Sequence, residues 1–173
     1  NIDVDPGSHI VIKLDNSGNV DWQKKIDYPS YLNSSHLCPV EGGFIANSVM
    51  YSQEAPSLYA IRSMVKMDKD GNEVWAKKLL SSKIITTLPL VSTDDGGVLS
   101  IGTASAKTVV SKLSSDGTVE WTRSFANVVL NGNILLQQLD SESFVLASSN
   151  ASGINLKIAL ILFKKDGTVE WTK

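Results

Sequence analysis

The sequence has few of the residues from which metal centres and catalytic sites are built. Cys38 is its only cysteine, which excludes an internal disulfide and any cysteine-based metal cluster. His9 and His36 are its only histidines, and neither lies in a metal-ligand spacing such as HExxH. Nucleophile-elbow, P-loop and GxGxxG patterns are also missing. The sequence therefore nominates no catalytic residue, no metal ligand and no cofactor.

The chain also lacks an excess of positive charge and any long apolar run. Its 173 residues carry 16 Lys plus Arg against 18 Asp plus Glu, a formal net charge of -2, so nucleic-acid binding is not expected. The apolar run at residues 158–163 is about a third of the length that a membrane-spanning helix needs, so no transmembrane segment is predicted. Residues 1–9 lack the features of a signal peptide, and we expect processing or a cut from a longer chain.

What the sequence does have is a repeat. One segment recurs at residues 11–25, 65–78, 111–124 and 162–173. Successive tryptophans are 53, 46 and 50 residues apart, a period that suits one propeller blade. In each copy a tryptophan follows a glycine by four residues, and we interpret these pairs as structural: Gly18 and Trp22, Gly71 and Trp75, Gly117 and Trp121, Gly167 and Trp171.

A second marker keeps the same period. The segments EGGFIANS, DGGVLSIG and SESFVLAS, at residues 41–48, 95–102 and 141–148, begin 19 or 20 residues after the preceding tryptophan. The third copy has lost both glycines, so its turn is predicted to be of another type.

Each unit divides into four short runs rich in Val, Ile, Leu and Thr, and no window has a sustained helical period. In the best-preserved unit these runs are residues 84–91, 98–104, 107–113 and 118–125. The turn between the last two ends in Gly117, which is expected to adopt a positive φ.

Alternation along the tryptophan strand predicts that Val119 and Trp121 share one face. The second copy of the motif breaks this pattern. It has Glu73 where the other copies have valine, so a local irregularity is expected there.

These units predict an all-β fold of propeller blades in a single domain, residues 1–173. The predicted blades are residues 27–79, 80–125 and 126–173, and residues 9–26 supply only the outer hairpin of a fourth. Each tryptophan strand is expected to be outermost, with Trp75, Trp121 and Trp171 between adjacent blades. Because closure takes at least about four blades, we expect part of a larger propeller or an assembly of several chains. A sandwich is the alternative packing.

The hairpin K-L-x-x-x-G-x-V-x-W followed by D-G-G and a hydrophobic strand resembles bacterial β-propeller repeats of the SBBP and delta-60 type. It is similar, more distantly, to the tryptophan-docking repeats of quinoprotein enzymes and of outer-membrane assembly propellers. The resemblance covers essentially the whole chain and implies an architecture rather than a chemistry. It also implies an exported bacterial protein, periplasmic or on the cell surface.

Every tyrosine of the chain falls in the first full blade or its entry loop, and this blade carries about eight extra residues near position 51. Aromatic rings with hydrogen-bonding rims suit glycans and proteins, and insertions often carry function. The candidate contact patch is Tyr28, Tyr31, Tyr51, Gln53 and Glu54. The alternative interpretation is that the tyrosines seal a blade edge.

The sequence DKDGNE at residues 68–73 resembles the start of a calcium loop. The position where an EF-hand needs its bidentate glutamate holds Leu79. The other copies of this turn vary in their oxygen ligands, so a plain turn is favoured.

The predicted function is a non-catalytic binding or scaffolding module whose ligand is a protein or a glycan. Self-association, or contact with remaining blades, is expected through open blade faces. One alternative is a fragment of a propeller enzyme, quinoprotein-like or glycan-active, whose catalytic residues lie on absent blades. Another is the surface-exposed interaction domain of a lipoprotein.

Overall fold

Antiparallel β-strands make up the regular structure of the chain. A computed structural model describes residues 8–27, 32–52, 59–80, 89–104, 107–125, 134–152 and 155–173. These ranges contain strands and no helix, which confirms the all-β prediction. The strands are β1 Ser8–Leu14, β2 Val20–Asp27, β3 Leu32–Val40, β4 Gly43–Ser52, β5 Tyr59–Asp68, β6 Glu73–Leu80, β7 Leu90–Ser92, β8 Val98–Ala104, β9 Lys107–Leu113, β10 Val119–Phe125, β11 Ile134–Gln138, β12 Ser143–Ser152, β13 Asn155–Lys164 and β14 Val169–Thr172.

The strands form one hairpin and three four-stranded sheets. Strand β1 pairs with β2, which we call the first hairpin. The remaining strands pair in chain order as β3–β6, β7–β10 and β11–β14, which we call the first, second and third sheets. Each sheet is an antiparallel meander, as in a propeller blade, with its tryptophan strand at one edge. The predicted three blades and outer hairpin are therefore confirmed.

The hairpin and the sheets stack face to face, because a single small sheet cannot cover both of its own faces. Strand β7 contacts both β3 and β11, so the first strands of the three sheets lie side by side. Apolar clusters fill the three spaces between neighbours. They contain Val11, Ile26, Ala46, Val65 and Met67 at the first interface, Cys38, Ile45, Met64, Leu90, Val98 and Leu113 at the second, and Leu99, Ile101, Val110, Phe125, Leu136, Phe144, Leu146, Ile161 and Phe163 at the third.

The strand predictions for the second sheet hold closely. Strands β8 and β9 have the predicted bounds, and β10 begins one residue later than predicted. The predicted strand at residues 84–91 lies partly outside the described residues, and β7 covers Leu90–Ser92.

The turn before each tryptophan strand has one geometry in all four copies. In the first copy the Gly18 N–H donates to the Asp15 carbonyl (3.0 Å) and the Asp15 N–H donates to the Asn19 carbonyl (2.9 Å). This pattern is a type I turn followed by a left-handed residue, a loop that favours glycine. Gly117 has a φ of 81°, which confirms the positive φ predicted for it.

The turn between β11 and β12 differs from its counterparts, as predicted from its missing glycines. In the second sheet the Gly96 N–H donates to the Thr93 carbonyl. In the third sheet the Asp140 carboxylate instead accepts the Glu142 N–H at 2.8 Å. The side-chain acceptor takes the place of the inner backbone bond only, because the Leu139 N–H still donates to the Ser143 carbonyl at 2.9 Å, as the Thr93 N–H donates to the Gly97 carbonyl in the second sheet.

A β-bulge precedes the tryptophan in every copy, and it corrects two predictions. Val119 pairs with Leu113 while Trp121 pairs with Lys112, so Val119 and Trp121 lie on opposite faces rather than on one. The extra residue in the bulge reverses the alternation. The irregularity expected only at Glu73 occurs in all four copies, with the register shifting at the same position.

The bulge turns each tryptophan toward the next unit, where it docks on a hairpin turn. The indole N–H groups of Trp22, Trp75 and Trp121 donate to the carbonyls of Lys69, Ser115 and Lys165, at 3.1, 3.0 and 2.8 Å. The predicted position of the tryptophans between blades is thus found for Trp75 and Trp121, and also for Trp22. It is not found for Trp171, which is exposed and contacts no turn of another unit among the described residues.

The rings of these tryptophans cover the turn glycines. A Cβ atom built on Gly71, Gly117 or Gly167 would lie 3.0 Å from the nearest ring atom of the docked tryptophan. Glycine at the turn therefore serves two purposes, since it accepts the positive φ and leaves room for the indole.

We expect Trp121→Ala to lower the free energy of unfolding by about 3 kcal/mol, because it removes a large side chain from the interface between the second and third sheets. Trp171→Ala is the matched control. It should cost less than about 1 kcal/mol, because its ring has no docked turn among the described residues. Urea unfolding followed by circular dichroism measures both values, and equal losses would contradict the docking role.

Candidate functional site

The predicted tyrosine patch falls mostly outside the described residues. Tyr28, Tyr31, Gln53 and Glu54 lie there, and so does the side chain of Tyr51, whose backbone pairs with Ala60 between β4 and β5. The strands of the β4–β5 hairpin have 10 residues each, as do β12 and β13, against 7 in β8 and β9. The patch stays a prediction.

The calcium-like segment is a hairpin turn whose carboxylate is engaged by its own backbone. Asp68 Oδ1 accepts the N–H groups of Asp70 and Asn72 at 2.9 and 2.8 Å. The backbone and side-chain hydrogen bonds from Asn72 hold the pKa of Asp68 below its usual range. The turn interpretation of this segment is supported.

A fully buried lysine lies on the face of the second sheet that packs against the third sheet. Lys112 Nζ donates to Asp95 Oδ1 at 3.0 Å and to the Leu113 carbonyl at 3.3 Å. Glu120 Oε2 lies 3.5 Å from the same nitrogen. The ammonium group is paired and hydrogen-bonded, as a buried charge must be.

Asp95 is the central acceptor of this ionic cluster, which we define as Lys112, Asp95 and Glu120. Its Oδ1 atom also accepts the Thr93 hydroxyl at 2.6 Å and the Gly97 N–H at 3.1 Å. Partial desolvation acts to raise the pKa of Asp95, but the hydrogen bonds from Thr93, Lys112 and Gly97 outweigh it and lower the pKa to about 2. Lys165 of the third sheet approaches the other oxygen, Oδ2, at 3.8 Å. The cluster therefore ties a turn of the second sheet to its own strands and to the neighbouring blade.

Sequence reasoning missed this cluster, although the repeat contains a signal for it. A lysine two residues before the turn faces the acidic residue before the tryptophan, as in Lys13 and Asp21, whose side chains are 2.6 Å apart. In the first sheet that acidic position holds Val74, and Lys66 instead donates to the Ser115 carbonyl at 3.1 Å. A lysine in a strand reads as exposed, and only the stacking of sheets buries Lys112.

The outer face of the third sheet is apolar and exposed. Cross-strand pairing aligns Leu135 with Ala147 and Ala147 with Leu160 in one row, and aligns Leu162 with Trp171 in the next. Leu135, Ile158 and Trp171 are exposed on this face. The opposite face of the same sheet carries Phe144 and Phe163 within the core. We call the exposed face, which carries Leu135, Ile158 and Trp171, the open face.

Among the described residues there is no group of three or more His, Cys, Asp or Glu that could hold a metal ion. The same part of the chain has no helix that is both long and apolar enough to cross a membrane. Cys38 is buried, and desolvation raises the pKa of its thiol.

No protein-family model matches the chain, and no curated protein matches it. The resemblance to bacterial propeller repeats therefore stays a prediction.

The low pKa of Asp95 predicts a pH-dependent contribution to stability. A carboxyl whose folded pKa is about 2, below its unfolded value near 3.9, stabilises the fold above about pH 4, and this contribution is lost as the pH falls toward 2. Asp95→Asn should therefore lose less stability than the wild type over this range. Urea unfolding at several pH values measures it, with Asp94→Asn as the control from the same turn. Parallel curves for wild type and Asp95→Asn would contradict the assignment.

Proposed function

We propose that this chain is a non-catalytic binding or scaffolding module of propeller blades, and that its open face binds a protein. The observation that carries the proposal is the uncovered apolar surface of the third sheet. Strand β13 presents Ile158, Leu160 and Leu162 on that face. Exposed contiguous apolar surfaces of this kind mark interaction sites.

The polar chemistry of the described residues supports binding rather than catalysis. The turn carboxylates accept hydrogen bonds from their own turns: those of Asp15, Asp68, Asp116, Asp140 and Asp166. Lys112 and Asp95 are engaged with each other inside the stack. These groups act as framework, which leaves the apolar face as the surface with unused binding capacity.

The predicted glycan ligand and the alternative of an enzyme fragment are also proposals. A glycan would suit the tyrosine patch better than the open face, because its rings carry hydroxyl groups. The alternative of a propeller enzyme fragment puts the chemistry on blades beyond this chain.

Selection of ligands from a random peptide library on the immobilised chain tests the proposal. We expect peptides whose Kd rises at least about tenfold on Ile158→Lys, since a charge on the open face would have to be desolvated on binding. Val74→Lys is the control, because Val74 is exposed on β6 where the other copies carry an acidic residue. It should leave the Kd unchanged.

Peptides that bind Ile158→Lys as tightly as the wild type would overturn the assignment of the open face. A glycan array probed with wild type and with Tyr31→Ala serves as the second arm. Glycan binding that Tyr31→Ala abolishes, together with no peptide dependent on Ile158, would move the function to the tyrosine patch.

A further inference from the structure

The two ends of the stack carry complementary halves of one interface. Each internal interface pairs a tryptophan of one unit with the hairpin turn of the next unit. At one end of the stack no tryptophan of the described ranges covers the turn of Gly18. At the other end Trp171 has no turn among the described residues. We call these the head and the tail.

The internal interfaces define what a docked turn requires. Besides the indole, the basic residue two positions after the tryptophan covers the turn glycine with its aliphatic stem. A Cβ on Gly71 would lie 3.0 Å from Lys24 Cγ, and one on Gly167 would lie 2.9 Å from Arg123 Cγ. The tail has the same pair, because Lys173 follows Trp171 by two residues and its Nζ lies 5.4 Å from the ring centroid.

The head is uncovered where its counterparts are buried. A Cβ on Gly18 would meet nothing within 4 Å. Leu14 is 55% exposed, whereas Met67, Leu113 and Phe163 at the same position of the repeat are 6%, 0% and 0% exposed. The first hairpin thus presents a turn and an apolar side chain that the other copies place against a preceding unit.

The tail is uncovered in the matching way. Ile158 is 64% exposed, whereas Thr108 at the corresponding position of β9 is 0% exposed. Leu160 is half-buried, while its counterparts Val110 and Met64 are fully buried by the next unit. The open face therefore has the side chains of an internal interface but faces no neighbouring unit among the described residues.

We propose that the tail of one chain docks on the head of a second copy of the same chain. Trp171 covers Gly18 of the second copy and donates its indole N–H to the carbonyl of Asn16, the position that Lys69, Ser115 and Lys165 hold in the internal turns. Leu14 of the second copy packs against the open face. This contact continues the internal stacking from one chain into the next.

The proposal rests on the proposed function, because it names a partner for the same open face. Such a head-to-tail contact is heterologous, so it closes into a ring or extends. Two copies joined at both ends would contain six four-stranded sheets and two hairpins, and six blades lie within the range of about four to eight that propellers have. One difference weakens the docking. Ser17 stands where Asp116 and Asp166 precede the internal glycines and attract Lys77 and Arg123.

Mixing two blocked variants of the full chain tests the proposal. Leu14→Lys blocks the head, because its charge would have to be desolvated against the open face, and Trp171→Ala blocks the tail. Sedimentation equilibrium should give a concentration-dependent increase in mass for the wild type and the mass of a single chain for each variant alone. The mixture should form a one-to-one pair, since one intact tail and one intact head remain. Val74→Lys should behave like the wild type, and circular dichroism verifies that each variant is folded.

A wild type that stays monomeric at every concentration would overturn the proposal. Association of Leu14→Lys alone would also overturn it, because that result means contact of tail with tail. Failure here leaves the proposed function standing if peptides dependent on Ile158 are still selected. If no such peptide is found while the two blocked variants pair, the open face serves association between copies alone.

Discussion

The structure depends on one contact, made where an indole N–H meets the backbone carbonyl of the next hairpin turn. The distance from the indole nitrogen to the carbonyl oxygen is 3.1, 3.0 and 2.8 Å in the three internal interfaces. The contact sets the position of each unit relative to the next. It requires a glycine in the turn, which accepts the positive φ and makes room for the ring. It also requires the bulge before the tryptophan, which directs the side chain toward the following unit. The motif repeats because an internal unit needs both a tryptophan that contacts the following unit and a hairpin turn that accepts the tryptophan of the preceding unit.

Much of this architecture could be predicted from the sequence, because its signals are local. The turn at Gly117 needs only neighbouring residues, and the period of the tryptophans gives the size of a blade. The face of Val119 could not be predicted, since a bulge is invisible to an argument from alternation. The burial of Lys112 was missed for a different reason. Its surroundings come from the turn at Asp95 and from the third sheet, so they depend on stacking rather than on spacing along the chain.

The candidate sites are of two kinds, polar framework residues and an exposed apolar face. Polar residues in the repeat serve the framework: the carboxylate of Asp68 holds its own turn, and that of Asp95 holds Lys112. The turn at Asp68 resembles a calcium loop in sequence, and its hydrogen bonds identify it as a hairpin turn. The open face is different, because its side chains match a buried interface and face no neighbour among the described residues. The proposed function therefore lies on the open face and not on the polar residues of the repeat.

Exchange of the four indole N–H protons with solvent deuterium, followed by nuclear magnetic resonance, tests the central contact most directly. The measurement should be made on dilute Leu14→Lys, in which docking between chains is blocked. The account predicts slow exchange for Trp22, Trp75 and Trp121, whose N–H groups are bonded to turn carbonyls, and fast exchange for Trp171. Equal exchange rates for all four indoles would contradict it.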